Sequence, residues 1–162
     1  MVFGISALVS LVNAYGYPAI FVVGFLSSFT LFIPSPAFFV VFLFGATLNP
    51  VALGVIAGAG AALGETTGYI AGYGISKLAK NQRKKLAEIR KLIHKYSPEV
   101  VIFLFAATPL PFDFVGIFCG TINFDRKKFF VATLLGKIVK FIFIAYAGFY
   151  GLHWVLNYAG PD

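Results

Sequence analysis

Hydrophobic positions dominate the chain, and the few polar residues that interrupt them set its punctuation. Residues 1–14 are apolar, short and mildly amphipathic, which suits a segment lying at an interface or capping a bundle. Residues 17–48 form a long apolar stretch broken near its centre by Pro34-Ser35-Pro36. Neither half is comfortable as a full span of roughly 20 residues, so two readings stand: one proline-kinked helix, or a re-entrant hairpin that enters and leaves on the same side. Asn49-Pro50 then supplies a cap followed by proline at a first helical position, and a glycine-rich run over 51–76 is long enough to cross a bilayer. Over 80–96, Leu86, Ile89, Ile93 and Tyr96 recur at helical spacing among Arg83, Lys84, Lys85, Arg90, Lys91 and Lys95. That pattern predicts a basic amphipathic helix on a membrane surface, in contact with its lipid. Ser97-Pro98-Glu99 restarts a helix with a capping residue, a first-turn proline and an acid at the positive end of the dipole. A second apolar stretch, 100–122, is broken by Pro109-Leu110-Pro111 and Asp113. Residues 129–158 form a last span with Trp154 and Tyr158 towards its far end, as at a membrane interface.

The two broken stretches are related. Pro34, Pro36 and Gly45 recur as Pro109, Pro111 and Gly120, all at an offset of 75 residues, and the same offset pairs Pro50 with Asp125 and Glu65 with Lys140. Each half reads as a broken hairpin, a tight connection and a spanning helix. No Lys or Arg precedes Lys77, so the positive-inside rule places 77–96 and the Arg126-Lys127-Lys128 cluster of 124–128 in the cytoplasm. Both ends of the second broken stretch then face the same side. Its 100–122 run is too short to cross twice, which makes it re-entrant and the two halves inverted in topology. Paired broken segments in inverted halves point to a transporter with a site near the bilayer midplane, and they favour the hairpin reading of the first stretch as well.

Composition agrees with this reading. Hydrophobic residues make up 59% and charged residues 12% of the 162-residue chain, and the mean hydropathy is +0.88. These values fall in the membrane class. The expectation is an all-α integral membrane protein of one domain over 1–162: repeat one at about 17–76, the basic helix at about 77–96, repeat two at about 97–158. The net charge of +7 is not a nucleic-acid signal, because eight of the thirteen Lys and Arg lie between Lys77 and Lys95, where they act as a topology determinant and an anionic-lipid contact. The N-terminus lacks a basic n-region and a small-residue cleavage site, so no removable signal peptide is expected. Cys119 has no cysteine to pair with and reads as a small buried hydrophobe. Glycine faces suit helix dimers and internal hairpin packing equally well, so a homo-oligomer stays open.

Four ionisable residues fall at membrane depth: Glu65, Asp113, Lys137 and Lys140. Glu65 shares its helical face with Gly58, Ala61, Ala62, Gly68, Tyr69 and Gly72, a face that lets another backbone come close. Lys137 and Lys140 are three apart and therefore neighbours on one helix face. Two acids and two bases at this depth serve either as buried ion pairs that fix helix packing or as a site: cations that bind an anionic group, acids that carry protons or gate access. No metal-ligand spacing, cofactor motif, phosphate-cradling loop or nucleophile motif is present, and nothing argues for an enzyme.

The segment Gly60 to Gly72, with Gly64-Glu65 and Tyr69, resembles the Gly-acid-x-x-Gly-Tyr-x-x-Gly segment of the DedA family, whose members carry the VTT domain and are also called SNARE-associated membrane proteins. The block from Thr108-Pro109-Leu110-Pro111 through Gly120 to Phe129 resembles that family's second hairpin. The resemblance spans roughly residues 20–150. It implies two opposed re-entrant hairpins with transmembrane helices in a multi-pass cell-membrane protein. It also implies translocation or scrambling of a lipid, phospholipid or polyprenyl phosphate, coupled in several members to proton or sodium gradients. The chain departs from the family pattern: Ser27 or a neighbour stands where an acid is common in the first hairpin, and Ala107 and Asp113 lie where arginines bracket the second proline. The expectation is therefore that Lys137 and Lys140 bind the headgroup of an anionic lipid, that Glu65 and Asp113 titrate, and that Pro34, Pro36, Pro109 and Pro111 form the hairpin tips. Proton-coupled export of a small molecule and a non-transporting membrane scaffold are the alternatives.

Overall fold

The computed structural model describes residues 2–28, 36–78, 88, 97–110 and 112–159. Within them seven helices follow in order: α1 (Val2–Tyr15), α2 (Tyr17–Ser27), α3 (Pro36–Phe44), α4 (Pro50–Leu78), α5 (Pro98–Ala107), α6 (Asp113–Thr121) and α7 (Arg126–Ala159). No strand occurs among the described residues.

Two helices are long and apolar enough to cross a membrane, over Pro50–Lys77 in α4 and Arg126–Gly151 in α7. They pack antiparallel: Gly54 and Gly58 lie against Ile142 and Ile138, and the Tyr69 and Phe129 rings meet at 5.1 Å. Their starts are capped as the sequence indicates for α4, where Asn49 Oδ1 accepts the Val51 and Ala52 N–H groups at 3.0 and 3.1 Å. For α7, Asp125 Oδ1 accepts the Lys128 N–H at 2.9 Å.

The shorter helices straddle this pair. From the first broken stretch, α2 runs along α4, with Gly60 and Gly64 against the backbones of Phe21 and Phe25, while α3 runs along α7, with Gly45 against Ala145 and Gly148 against Phe42. From the second, the assignment is swapped: α5 lies on α7, with Gly136 against Phe103 and Ala106, and α6 lies on α4, with Gly72 against Ile117 and Gly120 against Tyr69. A side chain on Gly72 or Gly120 would overlap the facing main chain, so only glycine permits this approach.

The structure excludes one of the two readings of the first stretch. Ser27 Oγ accepts the Ala37 N–H at 3.0 Å, whereas ten residues of continuous helix would separate them by about 15 Å. The chain folds back between α2 and α3, and a single proline-kinked helix is ruled out. One capping expectation also fails. Ser97 adopts a left-handed backbone (φ 48) and makes no side-chain cap bond, so α5 starts on Pro98 and its own geometry. The last helix begins at Arg126 rather than at Phe129, because Asp125 caps it there. Of the basic helix expected over 77–96, Lys77 lies in the last turn of α4, whereas Arg83, Lys84, Lys85, Arg90 and Lys91 lie outside the described residues, as do the tips Pro34 and Pro111.

Two apolar clusters fill the bundle. One gathers Ile20, Val23, Val40, Leu53 and Phe141. The other gathers Tyr69, Ile102, Phe112, Phe124 and Phe129. The outside is apolar too: Phe143 is 73% and Ile70 62% exposed, while Glu65, Lys137 and Lys140 are 4%, 6% and 6% exposed. Charges inside and phenylalanine outside is the reverse of a water-soluble protein, and it fits a surface solvated by lipid.

Candidate functional site

The buried charges lie where the two apolar clusters meet. From the α4 side Glu65 is carried by a helix that glycine and alanine make narrow on several faces, so its carboxylate reaches α7 rather than lipid. There it pairs with Lys137: Nζ donates to Oε1 at 2.5 Å, both side chains being almost fully enclosed. The sequence repeat equates Glu65 with Lys140, but the antiparallel crossing of α4 and α7 brings Lys137 opposite the acid instead.

The Lys137 ammonium also stands 5.0 Å from the centre of the Phe112 ring. Phe112 immediately precedes α6 and stacks on Phe129 of α7 at 6.2 Å, so Lys137 ties the second broken segment to both long helices. Lys140, one turn further along α7, donates to the main-chain carbonyl of Thr108 at 3.4 Å. That carbonyl lies at the C-terminal cap of α5, directly before Pro109. On the other side Lys140 lies over the rings of Phe38, in α3, and Phe141, at 5.2 and 5.8 Å. A single ammonium thus touches both broken segments. Ring faces and a carbonyl stabilise a cation, but neither neutralises it. No carboxylate forms an ion pair with Lys140 among the described residues.

Asp113 opens α6 and is half-buried, with its charge in electrostatic range of Glu65, Lys137 and Lys140 but without a salt bridge to them. All four sequence-selected residues therefore come to one place. Pro36 begins α3 and Pro109 lies between α5 and α6, so both lie at the breaks of their segments. Phe38, Thr108 and Phe112 complete the cluster and were not legible beforehand. Each follows a proline break by a residue or two or precedes it, and an apolar or hydroxyl residue there carries no signal until the partner helix is known. Thr133, fully buried one turn before Lys137, belongs to the same face of α7. Among the described residues no group of His, Cys, Asp and Glu is arranged to hold a metal ion. Cys119 is buried among apolar neighbours and takes no part.

No curated protein and no solved structure matches the chain. The VTT domain model matches residues 33–150, a stretch that contains α3 to α6, most of α7 and all four buried charges. The chain is a membrane protein belonging to the VTT-domain, or DedA, family.

Proposed function

We propose that the protein moves an anionic lipid, a phospholipid or polyprenyl phosphate, between the leaflets of the cell membrane. The VTT domain is associated with membrane transport. The observation that carries the narrower reading is Lys140: a buried ammonium, reached by both broken segments, with rings and a carbonyl around it and, among the described residues, no carboxylate paired to it. Such a cation is costly in a membrane interior until an anion joins it. A phosphate oxygen is the complement that a compact ammonium group serves best. Lys137 is held by Glu65 until the headgroup arrives. As phosphate takes the lysine, the released carboxylate, with Asp113 beside it, picks up a proton, which couples lipid movement to an ion gradient.

A groove of about 730 Å³ between α5 and α6 favours lipid over a soluble solute. Its walls, among them Val101, Ile102, Phe105, Phe114 and Phe118, are almost wholly apolar, as an acyl or isoprenoid tail requires.

In this reading the broken segments are re-entrant hairpins of an inverted repeat, with residues 77–96 and 124–128 in the cytoplasm. The packing supports it. Shifting Gly45 forward by 75 gives Gly120, and shifting its neighbour Ala145 back by 75 gives Ile70, one residue from the observed contact at Tyr69. Phe42 and Gly148 map in the same way to Ile117 and Tyr73, one residue from the observed Ile117 and Gly72 contact.

The test is reconstitution in liposomes carrying a fluorescent phospholipid. Leaflet exchange above protein-free liposomes, lost in Lys140→Met, is the expected result. Solute flux without lipid exchange would select the exporter, and neither activity would leave a scaffold.

A further inference from the structure

The hydroxyl of Thr133 has no hydrogen-bond partner among the described residues, although the side chain is fully buried. Helical threonines ordinarily satisfy themselves by donating to the carbonyl three or four residues earlier. Thr66, Thr67 and Thr121 do so here, onto Ala62, Gly64 and Ile117. Thr133 does not, and an unmade bond at a buried position is unfavourable enough to call for a partner that the described residues do not supply.

The position says what kind of partner. Phe129, one turn before Thr133, and Lys137, one turn after, both contact the Phe112 ring. Gly136, three residues on, is pressed against α5. Thr133 therefore faces the junction of α4, α5 and α6, beside the Glu65–Lys137 pair, and not the lipid. At 100° per residue, Thr133, Lys137 and Lys140 fall within about 60° of one another around α7, along about 10 Å of its axis. This is one stripe of three donors, a hydroxyl followed by two ammonium groups. Its length exceeds the reach of a single phosphate, so the stripe divides into two overlapping stations that share Lys137.

We propose that Thr133 is a headgroup-binding residue: its hydroxyl and the Lys137 ammonium form a second oxyanion station, one turn along α7 from the station made by Lys137 and Lys140. The ligand class is a phosphate ester. As a step in lipid movement the station rests on the reading above, whereas its binding of a phosphate ester does not. Lys137 is free to serve it only when Glu65 has let go, so occupation of this station and release of the ion pair are one event.

Thr133→Val keeps the shape and removes the hydroxyl, and Thr133→Ser keeps the hydroxyl. The purified protein in detergent is titrated with dihexanoyl-phosphatidylglycerol, with dihexanoylglycerol as the phosphate-free control and inorganic phosphate to separate headgroup from free anion. Binding is read from the shift in unfolding temperature. Without ligand, Thr133→Val should unfold at or above the wild-type temperature, because a buried unpaired hydroxyl has been removed. Its affinity for the phosphatidylglycerol should fall about tenfold, the effect of one hydrogen bond to a charged group. Thr133→Ser should restore it. If the valine variant does not fold, Thr133→Ala gives the same comparison. Unchanged affinity in Thr133→Val, affinity lost equally in Thr133→Ser, or equal binding of the phosphate-free control would each overturn the proposal. Leaflet exchange unaffected by Thr133→Val would overturn the station as a step in lipid movement while leaving lipid movement standing. Phosphate-dependent binding by a wild-type protein that exchanges no lipid would support the station and remove lipid movement.

Discussion

Glu65 and Lys140 are both buried charges, yet substitution should affect them in opposite ways. Glu65 is half of an enclosed ion pair, and removing one partner strands the other in a medium that cannot solvate it. Glu65→Gln should therefore lower stability by roughly 3 to 5 kcal/mol. Adding Lys137→Met should recover most of that loss, while adding Lys140→Met should not. Thermal unfolding of wild type, Glu65→Gln, Lys137→Met and the two double variants in one detergent measures the coupling, and additive effects of Glu65→Gln and Lys137→Met would exclude the pair. Among the described residues Lys140 has no carboxylate to strand, so Lys140→Met should leave stability unchanged or raised while lipid exchange is lost. A Lys140→Met protein that is markedly destabilised would assign the lysine to packing. The four charges were legible from sequence because carboxylates and ammonium groups in apolar runs are conspicuous. Their pairing was not, since the register at which α4 crosses α7 selects Lys137, and that register is set by Gly54 and Gly58 meeting Ile142 and Ile138. Thr133 was illegible for a related reason: sequence alone leaves a helical threonine's usual backbone bond as the expectation.

At the scale of helices, the signals that came through were those with local physics behind them. Asn49-Pro50 opens α4 because the cap needs only its own next two residues. Ser97-Pro98 looked equivalent, but Ser97 is left-handed and its side chain makes no cap bond, and a left-handed backbone is not a property that the residue's own type announces. At α7 the backbone N–H of Lys128 holds the Asp125 carboxyl below its ordinary value. A carboxyl lowered on folding stabilises the folded state above its unfolded value, about pH 3.9, and loses that contribution as pH falls through the lower folded value. Hydrogen exchange at the first turn of α7 should accordingly rise on acidification through this window. Asp125→Asn, which caps without titrating, should flatten the response, and an identical pH profile in both proteins would show that the cap does not govern this end. Glycine contacts belong to this scale as well. Gly72→Leu would drive a side chain into the backbone at Ile117, so α6 must leave α4 and take Phe112 and Asp113 with it. A loss of about 1 to 3 kcal/mol is the ordinary cost of such overpacking. Gly74→Leu, at a position with open space, should be tolerated, and comparable unfolding temperatures for the two variants would contradict the close approach.

For the molecule as a whole, the proposed inverted repeat predicts which ends share a side of the membrane. Because α4 and α7 run antiparallel and each broken segment divides its arms between them, the start of α4 lies beside the far end of α7 and the end of α4 beside the start of α7. In the second broken segment, Pro98 and Phe124 both line one groove, so its two ends lie near each other, while Leu110 lies in the break between α5 and α6. A segment of this length that returned to its own side would leave Leu110 within the membrane, and one that crossed would deliver it to the other face. With Cys119 replaced by alanine, single cysteines at Lys77, Ser97 and Lys127 should then be labelled by an impermeant thiol reagent from the cytoplasmic side alone, and one at Asn49 from the opposite side alone. Leu110→Cys should resist the reagent from the outer face and become reactive only when the site opens towards one leaflet. Labelling of Ser97 and Lys127 from opposite sides would mean that the segment between them crosses the membrane. The inverted repeat would fall with the hairpin, and the four charges would sit in an ordinary bundle core rather than at the meeting point of two re-entrant segments.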